Sequence, residues 1–362
     1  MEKNKIKNIA IVTLYGEINI GNKLQNYAFQ EILKEYAINV TTLTYSRKPI
    51  VGWKGNVVSR LGFPRRISNI INAKKIRFNR FRMFSNEYLI TEPERRFCEF
   101  GDEVNNRYDF FISGSDQVWH NFTNTKEEIQ YFMLSFVDKN KRVCYAPSFG
   151  FDTIPIKFES EYIKGFQGFK YLSCRESIGC ELVREKTHRD VELMPDPTMC
   201  LSANRWLEIE RKPSYDIPHK YILVYFLGNK DSNTKTRLRK LKDETKLPII
   251  DILDDESLEY YTTRPDEFIY LISKAEYVCT NSFHCVVFSI IFHRKVFMYK
   301  RIDKTGSGMG SRFSTLLEEF KLKPDENGML KDFEHVDEIF LLKRKLMRDY
   351  LDKALCLNET KR

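Results

Sequence analysis

Four side chains of this 362-residue sequence stand where a proton or an anion could be handled: Asp116, Arg175, His284 and Arg312. His284 follows Thr280-Asn281-Ser282-Phe283, a polar break between the apolar runs 277–279 and 285–292. Thr, Asn and Ser are good helix N-caps, so the spacing predicts strand, turn and helix, with His284 in the first helical turn. Free amides and the helix dipole favour anions at such a place, and an imidazole there can move protons near neutral pH. A histidine that only caps the turn would look the same. Arg175 ends the apolar run 171–174, directly before a helix through residue 184. A guanidinium there can grip phosphate or carboxylate bidentately, or pair with a nearby acid. Asp116 lies in Gly114-Ser115-Asp116-Gln117, after the strand-like run 108–113. It could orient a histidine, take a hydroxyl proton, or serve as the acid of a helix start. Arg312 ends the glycine-rich loop Gly306-Ser307-Gly308-Met309-Gly310-Ser311, which could hold a phosphate but is a weak signal by itself. Asp196, between two prolines, faces a cleft or caps a helix.

These residues need a frame in which several strand ends converge. Residues 6–14, 22–36 and 40–45 read as strand, amphipathic helix and strand, a βαβ unit. Its loop carries Asn19, Gly21, Asn22 and Gln25 where a Rossmann-like fold binds its ligand. The loop is not GxGxxG, so a dinucleotide is unsupported, and plain turn and cap chemistry is the other reading of Asn19 and Gly21. Strands follow at 108–113, 142–146 and 171–174. The pattern restarts with strands at 221–227, 247–250, 277–279 and 296–299, helices at 235–242, 265–274 and 313–320, and a long charged helix at about 336–355. The expected fold is α/β, with two Rossmann-like domains facing a cleft. Residues 1–205 form the first, with a basic insertion at 46–100. Residues 215–325 form the second, and a C-terminal helix within 330–362 packs back across both.

Composition agrees. The chain is too long for one ordinary core. Its 42% hydrophobic and 30% charged content is that of a soluble globular protein. No run reaches the ~18 apolar residues of a membrane span, and the start shows no signal-peptide core, so a cytoplasmic location is expected. The eight cysteines include no CxxC and read as buried thiols rather than disulfides or zinc ligands; no metal cluster is visible. Of the net +9, residues 36–86 contribute +11 (eleven basic, no acidic), so the remainder sums to −2 (9 − 11). Residues 67–83 there read as a basic helix. It could be a packed helix with a solvated basic face. It could also be a peripheral contact of 46–86 with an anionic membrane, or the grip on a lipid-diphosphate acceptor. No nucleic-acid motif accompanies the charge, so nucleic acid is not expected as a partner.

Two such halves suggest the GT-B architecture, and a series of short motifs sharpens this. Asn19-Ile20-Gly21-Asn22-Lys23-Leu24-Gln25-Asn26-Tyr27-Ala28, Gly114-Ser115-Asp116-Gln117-Val118-Trp119, Tyr145-Ala146-Pro147-Ser148-Phe149-Gly150, Arg175-Glu176, Asp196-Pro197-Thr198, Asn281-Ser282-Phe283-His284 and Ser311-Arg312 occur in this order. The set, over about residues 7–320, resembles the polysaccharide pyruvyl transferases. Two positions depart from the pattern: Cys285 where glycine often follows, and Ile20 where an aromatic residue often precedes the glycine. Neither removes a titratable group. The resemblance implies a GT-B-like fold with the acceptor on the first domain and the donor on the second. It implies transfer of pyruvate from phosphoenolpyruvate to two hydroxyls of a sugar, free or lipid-linked, giving a cyclic ketal for a bacterial surface polysaccharide. No cofactor or metal is needed. His284, Asp116 and Arg175 are then expected to carry the chemistry, with His284 as acid/base and Arg175 with Arg312 on the donor anion. Asn19, Gly21, Asn22, Gln25, Gly114, Ser115 and Ser282 are expected to line the substrates. Glycosyl transfer from a nucleotide sugar, and a non-catalytic glycan-assembly role, are the competing readings.

Overall fold

The computed structural model describes residues 6–15, 18–46, 65–254, 257–300 and 309–356. Residues 47–64 of the basic segment and Gly306-Ser307-Gly308 of the glycine-rich loop lie outside them. The chain begins with β1 (Ile6–Val12), α1 (Ile20–Leu33) and β2 (Ala37–Leu43). In β1, Ile9 and Ile11 point to one apolar cluster and Ala10 and Val12 to another, all fully buried. That alternation is what a strand does when both faces of its sheet are covered. α2 (Arg65–Tyr88), α3 (Asp102–Arg107), β3 (Phe110–Ser113), α4 (Lys126–Phe132) and β4 (Arg142–Cys144) follow. The four strands form a parallel sheet in the order β2-β1-β3-β4. After α5 (Glu159–Phe166), β5 (Ser173–Cys174), α6 (Ser177–Thr187) and β6 (Glu192–Leu193) add a parallel pair. The Arg175 amide donates to the Pro147 carbonyl at 3.1 Å and ties this pair beside β4.

The second half runs through α7 (Ala203–Leu207), β7 (Ile222–Tyr225), α8 (Ser232–Thr245), β8 (Ile249–Asp251) and α9 (Leu258–Tyr261). It continues with α10 (Pro265–Lys274), β9 (Tyr277–Thr280), α11 (Phe283–Ile291), β10 (Lys295–Met298), α12 (Met309–Glu319), β11 (Met329–Leu330) and α13 (Val336–Ala354). The sheet order is β11-β10-β9-β7-β8, parallel except for β11. The fold is therefore α/β, with two Rossmann-like sheets, as the sequence pattern predicts. α13 does pack back across both halves: Lys343 pairs with Glu319 of α12, while Tyr350 donates to the Cys144 carbonyl at 2.6 Å. One apolar cluster is shared by the halves, holding Ile9 and Leu24 of the first and Leu223 and Phe288 of the second. The cysteines are free thiols, six of them buried, with Cys98 exposed and Cys356 half-buried.

The basic helix takes two duties. Arg77 is buried, 1% exposed, and donates to the carbonyls of Tyr261 and Ile252 in the second half. Arg80 donates to the Thr262 carbonyl at 2.7 Å and pairs with Glu267. Glu87, at the helix end, receives Arg211 at 2.5 Å and Arg264 at 2.8 Å. The expectation that Arg77 and Arg80 face a membrane or a lipid diphosphate is thus corrected: they fasten α2 to the second half. Lys75 and Arg82, on the opposite side, are exposed, as is Lys74. Arg77→Met is expected to lower the unfolding free energy by about 2 kcal/mol, because it strands buried carbonyls. Lys75→Met should change it little, and urea unfolding of both compares them.

Candidate active site

The carboxyl ends of β1, β3, β5 and β9 converge, and each delivers one part of a buried polar cluster. After β1 and its loop, α1 begins at Ile20, with Asn19 as its N-cap accepting from the Asn22 amide at 3.2 Å. This frees the Asn22 carboxamide to donate to Asp116. After β3 the chain turns sharply at Gly114, whose φ is +122°; a Cβ there would lie 1.9 Å from the Tyr145 carbonyl oxygen. Glycine is the residue that tolerates both demands. Asp116, at φ 71°, then points inward, 4% exposed. A positive φ on a non-glycine residue is uncommon, aspartate being among the more tolerant.

Arg175, at the end of β5, is the centre of the cluster. It donates from Nη1 to Asp196 Oδ2 at 2.6 Å and from Nη2 to Asp116 Oδ1 at 3.3 Å; Glu176 Oε2 lies 3.9 Å from Nε. Asp196 also accepts from Ser115 Oγ at 3.2 Å and, through Oδ1, from the Thr198 amide at 3.0 Å. From the second half, His284 on the first turn of α11 brings Nε2 to 3.5 Å from Asp196 Oδ2. That is ion-pair range but too long for a hydrogen bond, and Nε2 is buried without a hydrogen-bond partner. Burial alone would push the Asp196 carboxyl up; the His284 ring, the Arg175 guanidinium and the Thr198 amide outweigh it and hold it far below the usual carboxylate range. Burial pulls the Arg175 guanidinium down, and Asp116, Asp196 and Glu176 more than restore it. Three carboxylates thus surround one guanidinium, and the cluster is net negative when the imidazole is neutral.

This geometry changes the reading of several residues. Arg175 does not meet a substrate anion: its side chain is 2% exposed and both Nη atoms are engaged by carboxylates. It acts as the clamp that holds Asp116 and Asp196. Ser115 is fully buried, with its hydroxyl on Asp196 and the Ala146 carbonyl. Gln25 is fully buried too, and reaches the cluster through the Thr13 hydroxyl, which lies 3.1 Å from Gln25 Oε1 and 2.9 Å from the Ser115 carbonyl. Ser282 is the N-cap of α11, its side chain making no capping bond. Arg312 is buried on α12, one turn before Thr315, whose hydroxyl accepts from the Ser177 amide at 3.4 Å. Its helix thus packs on α6, which begins directly after Arg175 and Glu176. Two participants were not singled out for chemistry from the sequence: Asp196 as the hub, and Glu176. The Pro-Asp-Pro-Thr string was the available signal, since an aspartate fixed between two prolines is held rather than merely solvated.

Gly21 joins the halves. A Cβ on this residue would fall 2.3 Å from His284 Nδ1. Its place in α1 is helical, so the glycine serves close approach and not a turn. Gly21→Ala is therefore expected to displace the imidazole and to lower activity at least about tenfold, with helix content kept, since alanine favours the helix. Circular dichroism alongside turnover checks this. The model of one protein family, polysaccharide pyruvyl transferase, matches residues 19–301, which include Asn22, Asp116, Arg175, Asp196 and His284.

The chain belongs to the polysaccharide pyruvyl transferase family. It is therefore an enzyme, and its family's activity is pyruvyl transfer to polysaccharide. No curated protein sequence matches it. Among solved structures, the chain is similar to UDP-GlcNAc 2-epimerase from Neisseria meningitidis, at 9% identity and a TM-score of 0.47, covering 96% of this chain and 100% of that one. The Methanocaldococcus jannaschii UDP-GlcNAc 2-epimerase gives 11% identity and 0.43, covering 95% and 100%. An alpha-glucosyltransferase in complex with UDP gives 10% and 0.44, covering 96% of each. At these TM-scores the likenesses carry no argument about the chemistry of this pyruvyl transferase family member, which rests on its own residues.

Proposed function

We propose that this family member transfers pyruvate from phosphoenolpyruvate to two hydroxyls of a sugar in a bacterial surface polysaccharide or its precursor. The product is a cyclic ketal. The observation that carries the reading is the meeting of His284 from the second half with Asp196 from the first, inside a cluster backed by Arg175 and Asp116. The donor's methylene carbon takes a proton and becomes the methyl group, which makes the neighbouring carbon electrophilic. One sugar hydroxyl adds to that carbon and loses its proton. Phosphate leaves with the C–O bond electrons, and the second hydroxyl adds with loss of its proton. One of the two hydroxyl protons balances the methyl group, and the other leaves with phosphate or solvent.

His284 is the group that moves these protons, and Asp196 faces the ring nitrogen that would carry one. Asp116, held by Asn22 and Arg175, orients an acceptor hydroxyl. The net negative cluster is a poor seat for an anionic donor. The donor's phosphate and carboxylate are better placed at the N-terminus of α11, beside Ser282, with Arg312 as counter-charge. Thus Arg175, Ser115, Gln25, Gly114 and Gly21 are positioning residues, and Asn19 orders the helix that presents Asn22. Among the described residues no helix is long and apolar enough to cross a membrane. The protein works in the cytoplasm, against the inner membrane face where needed, and uses no cofactor.

The test is phosphate release from phosphoenolpyruvate across a panel of lipid-linked and nucleotide-linked sugars, with the ketal methyl group followed by NMR. Release that requires acceptor, with a new methyl singlet, supports the reading. If nucleotide sugars and not phosphoenolpyruvate are consumed, glycosyl transfer replaces it.

A further inference from the structure

One side of α13 is buried, through Val336, Phe340, Met347, Tyr350 and Leu351. The other side is not the evenly polar surface of a helix that only covers its own protein. Leu341 is 61% exposed, Leu342 66% and Leu346 37%. At 3.6 residues per turn, the exposed Glu338 and Lys345 lie on the line opposite the buried side. Leu341 and Leu342 sit between them along the helix, about 50° to either side of that line. Neither Glu338 nor Lys345 makes an ion pair among the described residues. They are seven residues apart, about 10 Å along the axis, so they do not satisfy each other within one chain. The outer face therefore runs acid, two leucines, base.

That order is its own complement. A two-fold axis passing between residues 341 and 342 lays a second α13 antiparallel on the first. Glu338 of each copy then lies across from Lys345 of the other, and Leu341 across from Leu342. The four leucines meet on the axis, and an opposite-charge pair closes each end. A parallel pairing would instead set Glu338 on Glu338 and Lys345 on Lys345, which like-charge repulsion opposes. An anionic bilayer would meet Glu338 and Asp349 on the same exposed face, so it is a poor occupant.

α13 has 19 residues and is about 28 Å long. A helix pair of that length supplies less than the ~800 Å² per partner of a standard interface. More surface lies at its flank. Arg348 pairs with Glu35 at 3.2 Å, which sets the start of β2 beside α13, where Ile38 is 66% exposed. We propose that the protein is a two-fold homodimer, joined through the outer face of α13 on each copy. The contact is small enough to be reversible. None of its residues belongs to the buried cluster around Arg175, so the proposal stands apart from the pyruvyl-transfer reading.

Sedimentation velocity of the full chain over a dilution series tests it. The parent should sediment as a dimer when concentrated and dissociate on dilution. Leu341→Glu with Leu342→Glu should sediment as a monomer throughout. Glu338→Lys alone, and Lys345→Glu alone, should each weaken self-association at least about tenfold, since each sets like charges across the axis twice. Mixing those two single variants should restore the dimer, because both cross-axis pairs are then opposite in charge. Circular dichroism and melting should stay close to the parent in every variant, because each substituted side chain is exposed. A parent that is monomeric at ~100 µM, a leucine variant that still dimerises, or mixed single variants that stay monomeric would each overturn the proposal.

Discussion

His284→Ala is expected to lower acceptor-dependent phosphate release from phosphoenolpyruvate by about 10²–10⁴-fold, the usual weight of a general acid–base group. The fold should survive, because the ring makes no hydrogen bond through Nε2 and packs by edge contact with Phe283. An unchanged melting temperature with lost turnover would separate chemistry from stability. Turnover near that of the parent would remove His284 from the proton-transfer role. In that case Asp116 would be the next group to test, since its carboxylate is held in the site by both the Asn22 carboxamide and the Arg175 guanidinium.

Asp196→Asn should have the second large effect, and it should strike both activity and stability. The carboxylate is fully buried and serves Arg175, Ser115, Thr198 and the His284 ring at once. Removing its charge breaks a buried ion pair, a change that costs about 3–5 kcal/mol. The pH signature is specific. Asp196 has a folded pKa held below its unfolded value, so its contribution is fully present above the unfolded value, near 3.9, and is lost as pH falls below it. In that acid range the parent should lose up to about 1.4 kcal/mol per pH unit from this one group. The Asn variant starts lower but should show a shallower acid slope. Urea midpoints between pH 3 and 7 compare the two curves, and parallel curves would show that Asp196 does not carry this linkage.

Much of the frame was readable in the sequence because it depends on local pattern. The α10 span, Pro265–Lys274, agrees residue for residue with its helical periodicity and its acidic start. β1, α1 and β2 deviate by only a few residues at their ends. Less legible were α3 and α4, short helices whose six and seven residues carry too little periodicity to read. The site was legible as a set of residue types and not as an arrangement. Arg175 looks like an anion binder until three carboxylates from other segments are brought around it. Arg77 and Arg80 look like a solvated basic face until the carbonyls of residues 252, 261 and 262 arrive from the second half. In both cases the decisive partner is remote in sequence, so no local pattern could show it. Asp196 is the converse: its local string was visible, but its importance comes from having four residues, Arg175, Ser115, Thr198 and His284, trained on one carboxylate.

The contact between Gly21 and His284 also bears on how such a sequence can drift. Each position confines the other from the opposite half of the chain, since a side chain at 21 would occupy the space of the ring. A lineage that lost the histidine would release position 21 to carry a side chain, whereas one that kept it could never do so. Alanine or serine at the first site should therefore appear only in relatives whose imidazole has gone, and a glycine retained without the imidazole would mark a recent loss.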